Sequence, residues 1–170
     1  MAMEVRVLTA ADAAAFQALR LQGLLECPTA FASSHEEEVA TPPATIAERL
    51  VSQVDRAVFG AFTAQGLVGV LGLQRESFKK LAHKAMVWGM YVAPQARRGG
   101  VGRRLVTAAL AFAASPLGVG RLTLCVNAKN SAAIALYRSL GFEPFGVEPG
   151  FMLLDGELHD EIYMVCVLPN

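Results

Sequence analysis

The stretch Val92-Ala93-Pro94-Gln95-Ala96-Arg97-Arg98-Gly99-Gly100-Val101-Gly102-Arg103-Arg104-Leu105 decides how this chain folds. Just before it, Ala85-Met86-Val87-Trp88-Gly89-Met90-Tyr91-Val92 is apolar on both faces, the pattern of a central strand. Gly89 inside that run predicts a bulge or a close backbone approach, and Pro94 ends the strand. Just after it, Val101, Leu105, Ala108, Ala109 and Phe112 recur at the spacing of one helix face, until Pro116 and Gly118 stop the helix. The stretch is therefore a glycine-rich turn that joins a buried strand to a helix. The first N–H groups of a helix have no partner within it and sit at the positive end of its dipole, so such a turn is a site for an anion. Glycines let a phosphate approach the backbone with no Cβ in the way.

Outward from this unit, residues 57–63 and 67–74 are apolar runs around Ala64-Gln65-Gly66, which reads as a β-hairpin. Glu4-Val5-Arg6-Val7-Leu8 alternates like a first strand. Thr9, with Asp12 at the capping-box distance, opens a helix whose inward stripe is Phe16, Leu19, Gly23 and Leu24. Residues 28–43, with tandem prolines and the run Glu36-Glu37-Glu38, read as a loop. Thr45 and Glu48 form a second capping box, which predicts a short helix to about residue 53. Beyond the central helix, Leu122-Thr123-Leu124-Cys125-Val126 is a strand. Ala133, Leu136, Tyr137 and Leu140 mark a helix closed by Gly141. Strands near 144–147 and 158–167 finish the chain. With no repeat and no linker, residues 1–170 read as one domain. Its class is α+β (mixed α/β), with a central mixed, mostly antiparallel sheet flanked by helices.

A chain of 170 residues with 54% hydrophobic and 18% charged content buries a core and is not disordered. No apolar stretch reaches the ~18 residues of a membrane span, and the N-terminus does not read as a secretory signal. Cys27, Cys125 and Cys166, an odd number with no C-x-x-C pair, are expected as buried small hydrophobes in a reducing cytoplasm. Between Ser77 and Phe142 the chain holds ten of its fifteen basic residues and none of its fifteen acids. One sign of charge over so long a stretch points to an anionic partner. It lacks the interleaved aromatics that stack on nucleic acid, which favours a polyphosphorylated ligand.

Three ligand classes use a turn of this kind. A P-loop needs G-x-x-x-x-G-K-[ST], and no Lys here precedes Ser or Thr. A dinucleotide fingerprint needs a third glycine, where this chain has Arg103-Arg104-Leu105, and an acid ~20 residues on, which the acid-free stretch does not supply. The pyrophosphate of coenzyme A is the third. Arg97-Arg98-Gly99-Gly100-Val101-Gly102 resembles the R/Q-x-x-G-x-G/A motif of the GNAT superfamily of acyl-CoA-dependent N-acetyltransferases. Asn127-Ala128-Lys129-Asn130, followed by Ala133, Tyr137, Gly141 and Phe142, resembles that family's N-x-x-A-x-x-x-Y-x-x-x-G-F segment.

The resemblance implies acetyl-CoA as cosubstrate and transfer to the amine of a small molecule or a peptide N-terminus. It assigns the pyrophosphate to the backbone around Arg97, Arg98, Gly99, Gly100, Val101, Gly102 and Arg103. It assigns the pantetheine arm to the strand edge at Met90, Tyr91 and Val92, with Asn130 and Ala133 on the other side. Tyr137 becomes the general acid that protonates the departing thiolate. Spacing alone also fits a core tyrosine, and Asn130 also fits a helix cap. Trp88 reads as core or pocket wall. An alkyl amine is almost wholly protonated at pH 7, so a base is needed. Many family members carry a carboxylate on the central strand, but residues 86–90 here include no acid. The base must then come from a loop, from His83 or His159, or through water, and Glu37 is the leading single residue. The acidic runs at Glu36, Glu37 and Glu38 and at Asp155, Glu157, Asp160 and Glu161 would draw a cationic acceptor. No His/Cys/Asp cluster has metal-ligand spacing. A homodimer is compatible with the sequence, and so is an acyl-CoA-binding module with little turnover.

Overall fold

The hairpin around Ala64-Gln65-Gly66 forms as β2 (Arg56–Thr63) and β3 (Gly66–Arg75), antiparallel from Arg56↔Gln74 to Thr63↔Gly66. The computed structural model describes residues 3–169. On one side of the hairpin lies β1 (Glu4–Val7), and on the other β4 (Lys84–Val92), each antiparallel to the hairpin strand beside it. Next to β4 runs β5 (Arg121–Asn127), which is parallel to it, as a helical crossover requires. The order across the sheet is β1-β2-β3-β4-β5-β7-β6, closed by β6 (Glu143–Leu154) and β7 (Glu157–Val167). The sheet is mixed and mostly antiparallel, as read from the sequence.

Helices cover both faces. α1 (Ala13–Glu26) and α3 (Pro43–Leu50) pack Phe16, Leu19, Leu24, Ile46 and Leu50 against Val58, Val70 and Tyr91. On the opposite face, α4 (Val101–Ala114) and α5 (Ser131–Ser139) bury Val101, Leu105, Val106 and Tyr137 against Leu71, Leu73, Leu122 and Met164. Alternation along the strands feeds both layers from one sheet. Thr9 and Asp12 make the expected capping box, although it opens a short 3-10 turn (Ala10–Asp12) that leads into α1. Among the described residues no helix is long and apolar enough to cross a membrane.

Three expectations are corrected. The acidic run is not loop: Ser34 and Glu37 form a capping box that opens α2 (His35–Glu38). α3 starts at Pro43, with proline in the first turn and no side-chain cap, so Thr45 and Glu48 lie inside the helix. A proline's missing N–H costs nothing at that position. β6 is far longer than expected. It tolerates Pro144 and Pro149 because it is the outermost strand and its register slips between Pro144 and Gly146 and between Glu148 and Met152.

Candidate active site

The parallel strands β4 and β5 pair only through Lys84↔Arg121, Ala85↔Leu122 and Met86↔Thr123. Beyond Met86 they part, which frees the polar edge of β4. A bulge sits where they separate: Tyr91 faces Val70 and Trp88 faces Gly72, so Gly89 and Met90 together oppose Leu71. Gly89 holds φ +60° within this bulge. A cleft of about 1030 Å³ occupies the gap. An exposed strand edge of this kind can pair with an extended, amide-bearing ligand.

At one end of the cleft the glycine-rich turn meets α4. Gly100 is the N-terminal cap at φ +78°, and a Cβ placed on it would meet no protein atom within 4 Å. The first bond into the helix runs from Arg104 N–H to Gly100 O at 3.1 Å, which leaves the N–H groups of Val101, Gly102 and Arg103 without a helical partner. Gly102 serves packing as well, since a Cβ there would lie 2.9 Å from Met90 Cε. Arg97 is a strut. Its Nε donates to Val92 O at 2.9 Å and its Nη2 lies 2.8 Å from Glu26 Oε1. The Tyr91 hydroxyl donates to the other oxygen of Glu26. Arg103 Nη2 reaches Ser139 Oγ on α5 at 2.8 Å.

Tyr137 lines the same cleft from α5, 7% exposed and stacked edge-on against Phe142. Its hydroxyl donates only to Met90 Sδ, at 3.3 Å. Burial, and secondarily the nearby Cys125 thiol, push its phenol well above the usual tyrosine range. A thioether is a weak acceptor, so the hydroxyl keeps its proton and has a stronger acceptor to gain. Asn130 caps α5 through Oδ1, which accepts from Ala133 N–H at 3.1 Å, while the residue also lines the cleft.

Met90, Tyr91, Val92, Arg97, Arg98, Gly100, Val101, Gly102, Arg103, Asn130, Ala133 and Tyr137 all line this one cleft. Gly99 does not, and neither does Glu37. The Glu37 carboxylate is taken up by Ser34 N–H at 2.7 Å in the capping box of α2. Its neighbour Glu38 is buried and binds Arg20 through both oxygens. His83 lies outside the cleft with Nδ1 3.1 Å from Lys80 O, and His159 is half-buried on β7, also outside its wall. Cys125 is another correction: it is exposed, in the cleft wall.

The carboxylate that does reach the cleft is Glu161, 5% exposed on β7 opposite Asn127 of β5. Burial, opposed by a bond from the Cys125 thiol and reinforced by the Glu148 charge, raises it to about 7. It stood in the sequence as one member of an acidic run. Alternation along β7 was the signal that could have singled it out. Met164 and Cys166 are buried in the core on the α4 face, so Glu161 and Tyr163 must face the other way, toward α1 and the cleft. Among the described residues no cluster of His, Cys, Asp and Glu could hold a metal ion.

Comparison with known proteins fits this geometry. The model of the acetyltransferase (GNAT) family matches residues 22–142. Protein ML0378 of Mycobacterium leprae is 38% identical over 118 residues, 67% of this chain and 30% of its own length. The N-alpha-acetyltransferase RimI of Mycobacterium tuberculosis is 34% identical over 115 residues, which cover 68% of this chain and 69% of that one. The chain spans less than a third of the first three curated relatives it matches, at 30%, 18% and 22% of their lengths. Among solved structures, the putative acetyltransferase yncA of Salmonella typhimurium with acetyl-CoA superposes with a TM-score of 0.81 at 21% identity, covering 100% of this chain and 96% of that one.

Proposed function

Because the chain belongs to the acetyltransferase (GNAT) family, we propose that it moves the acetyl group of acetyl-CoA onto a primary amine by direct attack within the β4–β5 cleft. The observation that carries this reading is a free strand edge, with an amide-rich turn at one end and Tyr137 and Glu161 lining the same cleft. The backbone N–H groups of the turn suit the pyrophosphate, and the open space over Gly100 leaves room for it. The edge at Met90 and Val92 suits the pantetheine amides. Acetyl-CoA supplies an activated thioester.

The amine enters from the α1 face beside Glu161. A carboxylate poised near 7 accepts a proton from an ammonium, directly or through one water, without being permanently charged. The amine nitrogen then bonds to the thioester carbon. The β4 backbone stabilises the charge that develops on its oxygen. As the C–S bond breaks, the sulfur takes its proton from the Tyr137 hydroxyl, and the extra proton left on the nitrogen passes, directly or through solvent, back to the Tyr137 oxygen. The burial that raises the Tyr137 phenol also disfavours a free thiolate beside it, so the proton moves as charge builds on the sulfur.

Cys125 raises the question of an acetyl-cysteine route. Although the residue is open to the cleft, loss of water among the cleft's side chains pushes its thiol up, with Glu161 and Glu148 adding to the effect, so little thiolate is present at neutral pH. That supports direct transfer. The test is an initial-velocity study with both substrates varied. Intersecting lines, and an unmodified Cys125 by mass spectrometry after incubation with acetyl-CoA alone, are expected. Parallel lines with an acetylated Cys125 would overturn direct attack. The acceptor is a small amine or a peptide N-terminus, a class supported by the name of the RimI relative. The three free cysteines support a cytoplasmic setting.

A further inference from the structure

A second cavity, of about 250 Å³, lies on the α1 and α3 face of the sheet. Phe16, Arg20, Arg49, Arg56, Gln74 and Trp88 stand around it, and no acidic residue is in its wall. Arg20 and Trp88 line both this cavity and the main cleft. The three guanidinium groups are not equivalent. Arg20 is satisfied, with Nε 2.5 Å and Nη2 2.6 Å from the two oxygens of Glu38. Arg56 is not, and Arg49, which is exposed to solvent and near enough for Glu38 to feel its charge, makes no ion pair. The ion pairs among the described residues join Arg6 to Asp12, Arg20 to Glu38, Arg97 to Glu26 and Lys129 to Glu157, and include neither of them.

Arg56 carries the strongest signal, because its Nε is buried and has no hydrogen-bond partner. A buried donor left unmade costs about 1–3 kcal/mol, and more on a charged group. Such a group is tolerated where a ligand completes it. The partly buried Arg56 and the exposed Arg49, neither in an ion pair, stand beside Phe16, Ala57, Val58 and Leu73 and suit a planar carboxylate on a short apolar stem, since the guanidinium fork matches a carboxylate two bonds at a time.

We propose that this cavity holds the carboxylate of the acceptor, fixed by Arg49 and Arg56, while the acceptor's amine reaches Glu161 in the main cleft past Arg20 and Trp88. The inference rests on the proposed acetyl transfer for the acceptor's other end. It narrows the acceptor class to amines that also bear an acid group.

Two independent readouts test it. In the first, glycine, β-alanine, γ-aminobutyrate and ε-aminocaproate are each compared with the corresponding amide as acceptor. The ratio of kcat/KM, acid over amide, is expected to favour the acid at the best length. It is expected to fall by roughly ten- to a hundredfold in Arg56→Gln and in Arg49→Gln, the loss of one hydrogen bond to a charged group. Arg56→Lys keeps the charge and is expected to recover part of the preference. In the second, butyrate, which has no amine, is titrated against the fluorescence of Trp88, the chain's one tryptophan. Saturable quenching that weakens in both glutamine variants is expected.

An acid-to-amide ratio that is the same in the parent protein and both variants would overturn the acceptor assignment, whether or not butyrate binds. Arg-dependent quenching with no turnover of any amine would sink the transfer reading and leave a carboxylate site. Absence of both effects would overturn the site itself.

Discussion

Replacing Glu161 by Gln removes one charge from the cleft at nearly constant volume, and the structure sets both the sign and the size of the result. In the folded chain the Glu161 carboxyl is held near 7 instead of about 4.5, first by burial and then by Glu148. That difference converts to an upper limit of about 3 kcal/mol. Water in the open cleft screens the group, so about 1–2 kcal/mol is the expected effect. A carboxyl raised on folding stabilises the protein fully below its unfolded value and loses that stability as pH rises through the folded one. Glu161→Gln has no such loss. Its melting temperature should match the parent at about pH 4 and exceed it by about 2–8 °C above about pH 8.

The same ionisation governs the proposed reaction. kcat/KM for an amine should rise about tenfold between about pH 6 and 8 in the parent protein, as the base form fills. In Glu161→Gln the rate should drop by about 10²–10⁴-fold and lose that limb. Calorimetric melts across the pH range and a pH–rate profile measure both. A melting difference that does not vary with pH, or a pH limb that survives in Glu161→Gln, would refute the assignment.

Tyr137→Phe should keep coenzyme A affinity and lower kcat by about 10²-fold or more, read by thiol release; a fall of less than about threefold makes Tyr137 structural. Gly100→Val places a side chain in the space over the turn and strains a residue at φ +78°. It should weaken coenzyme A binding at least about tenfold by calorimetry and cost about 1–2 kcal/mol of stability. Glu37→Gln should leave the amine KM and the pH profile unchanged, because glutamine still closes the capping box at Ser34. Glu38→Gln should destabilise by about 3–5 kcal/mol in a denaturant melt, because it leaves Arg20 without its buried partner.

The sequence was most readable where local chemistry and long-range packing agree. The bulge at Gly89, the turn at Gly100 and the buried stripe of α1 follow from glycine placement and helical spacing, and all three stand in the structure. It was least readable where a residue's role depends on a strand partner far along the chain. Alternation along β7 gives the face on which Glu161 lies, but that face borders the cleft only because β7 inserts between β5 and β6, an order no local pattern reveals. Cys125 was expected in the core as an apolar residue of a buried strand. The parting of β4 from β5 leaves its face open instead. Glu37 sits centrally in an acidic run, but the backbone of α2 has a nearer use for it at Ser34. The partners of Arg20 and Arg56, one present and one missing, are likewise set by side chains from separate elements.

The proposed catalysis of transfer in the β4–β5 cleft, as opposed to mere holding of acetyl-CoA, is open to direct measurement. The most direct measurement is steady-state release of free thiol from acetyl-CoA across a panel of amines, with each product identified by mass. Multiple turnovers are expected, with thiol and N-acetylated amine in equal amounts and loss of both in the Tyr137→Phe and Glu161→Gln variants. Tight binding of acetyl-CoA with no thiol release above background for any amine would contradict the proposed transfer, and would make the chain an acyl-CoA-binding module.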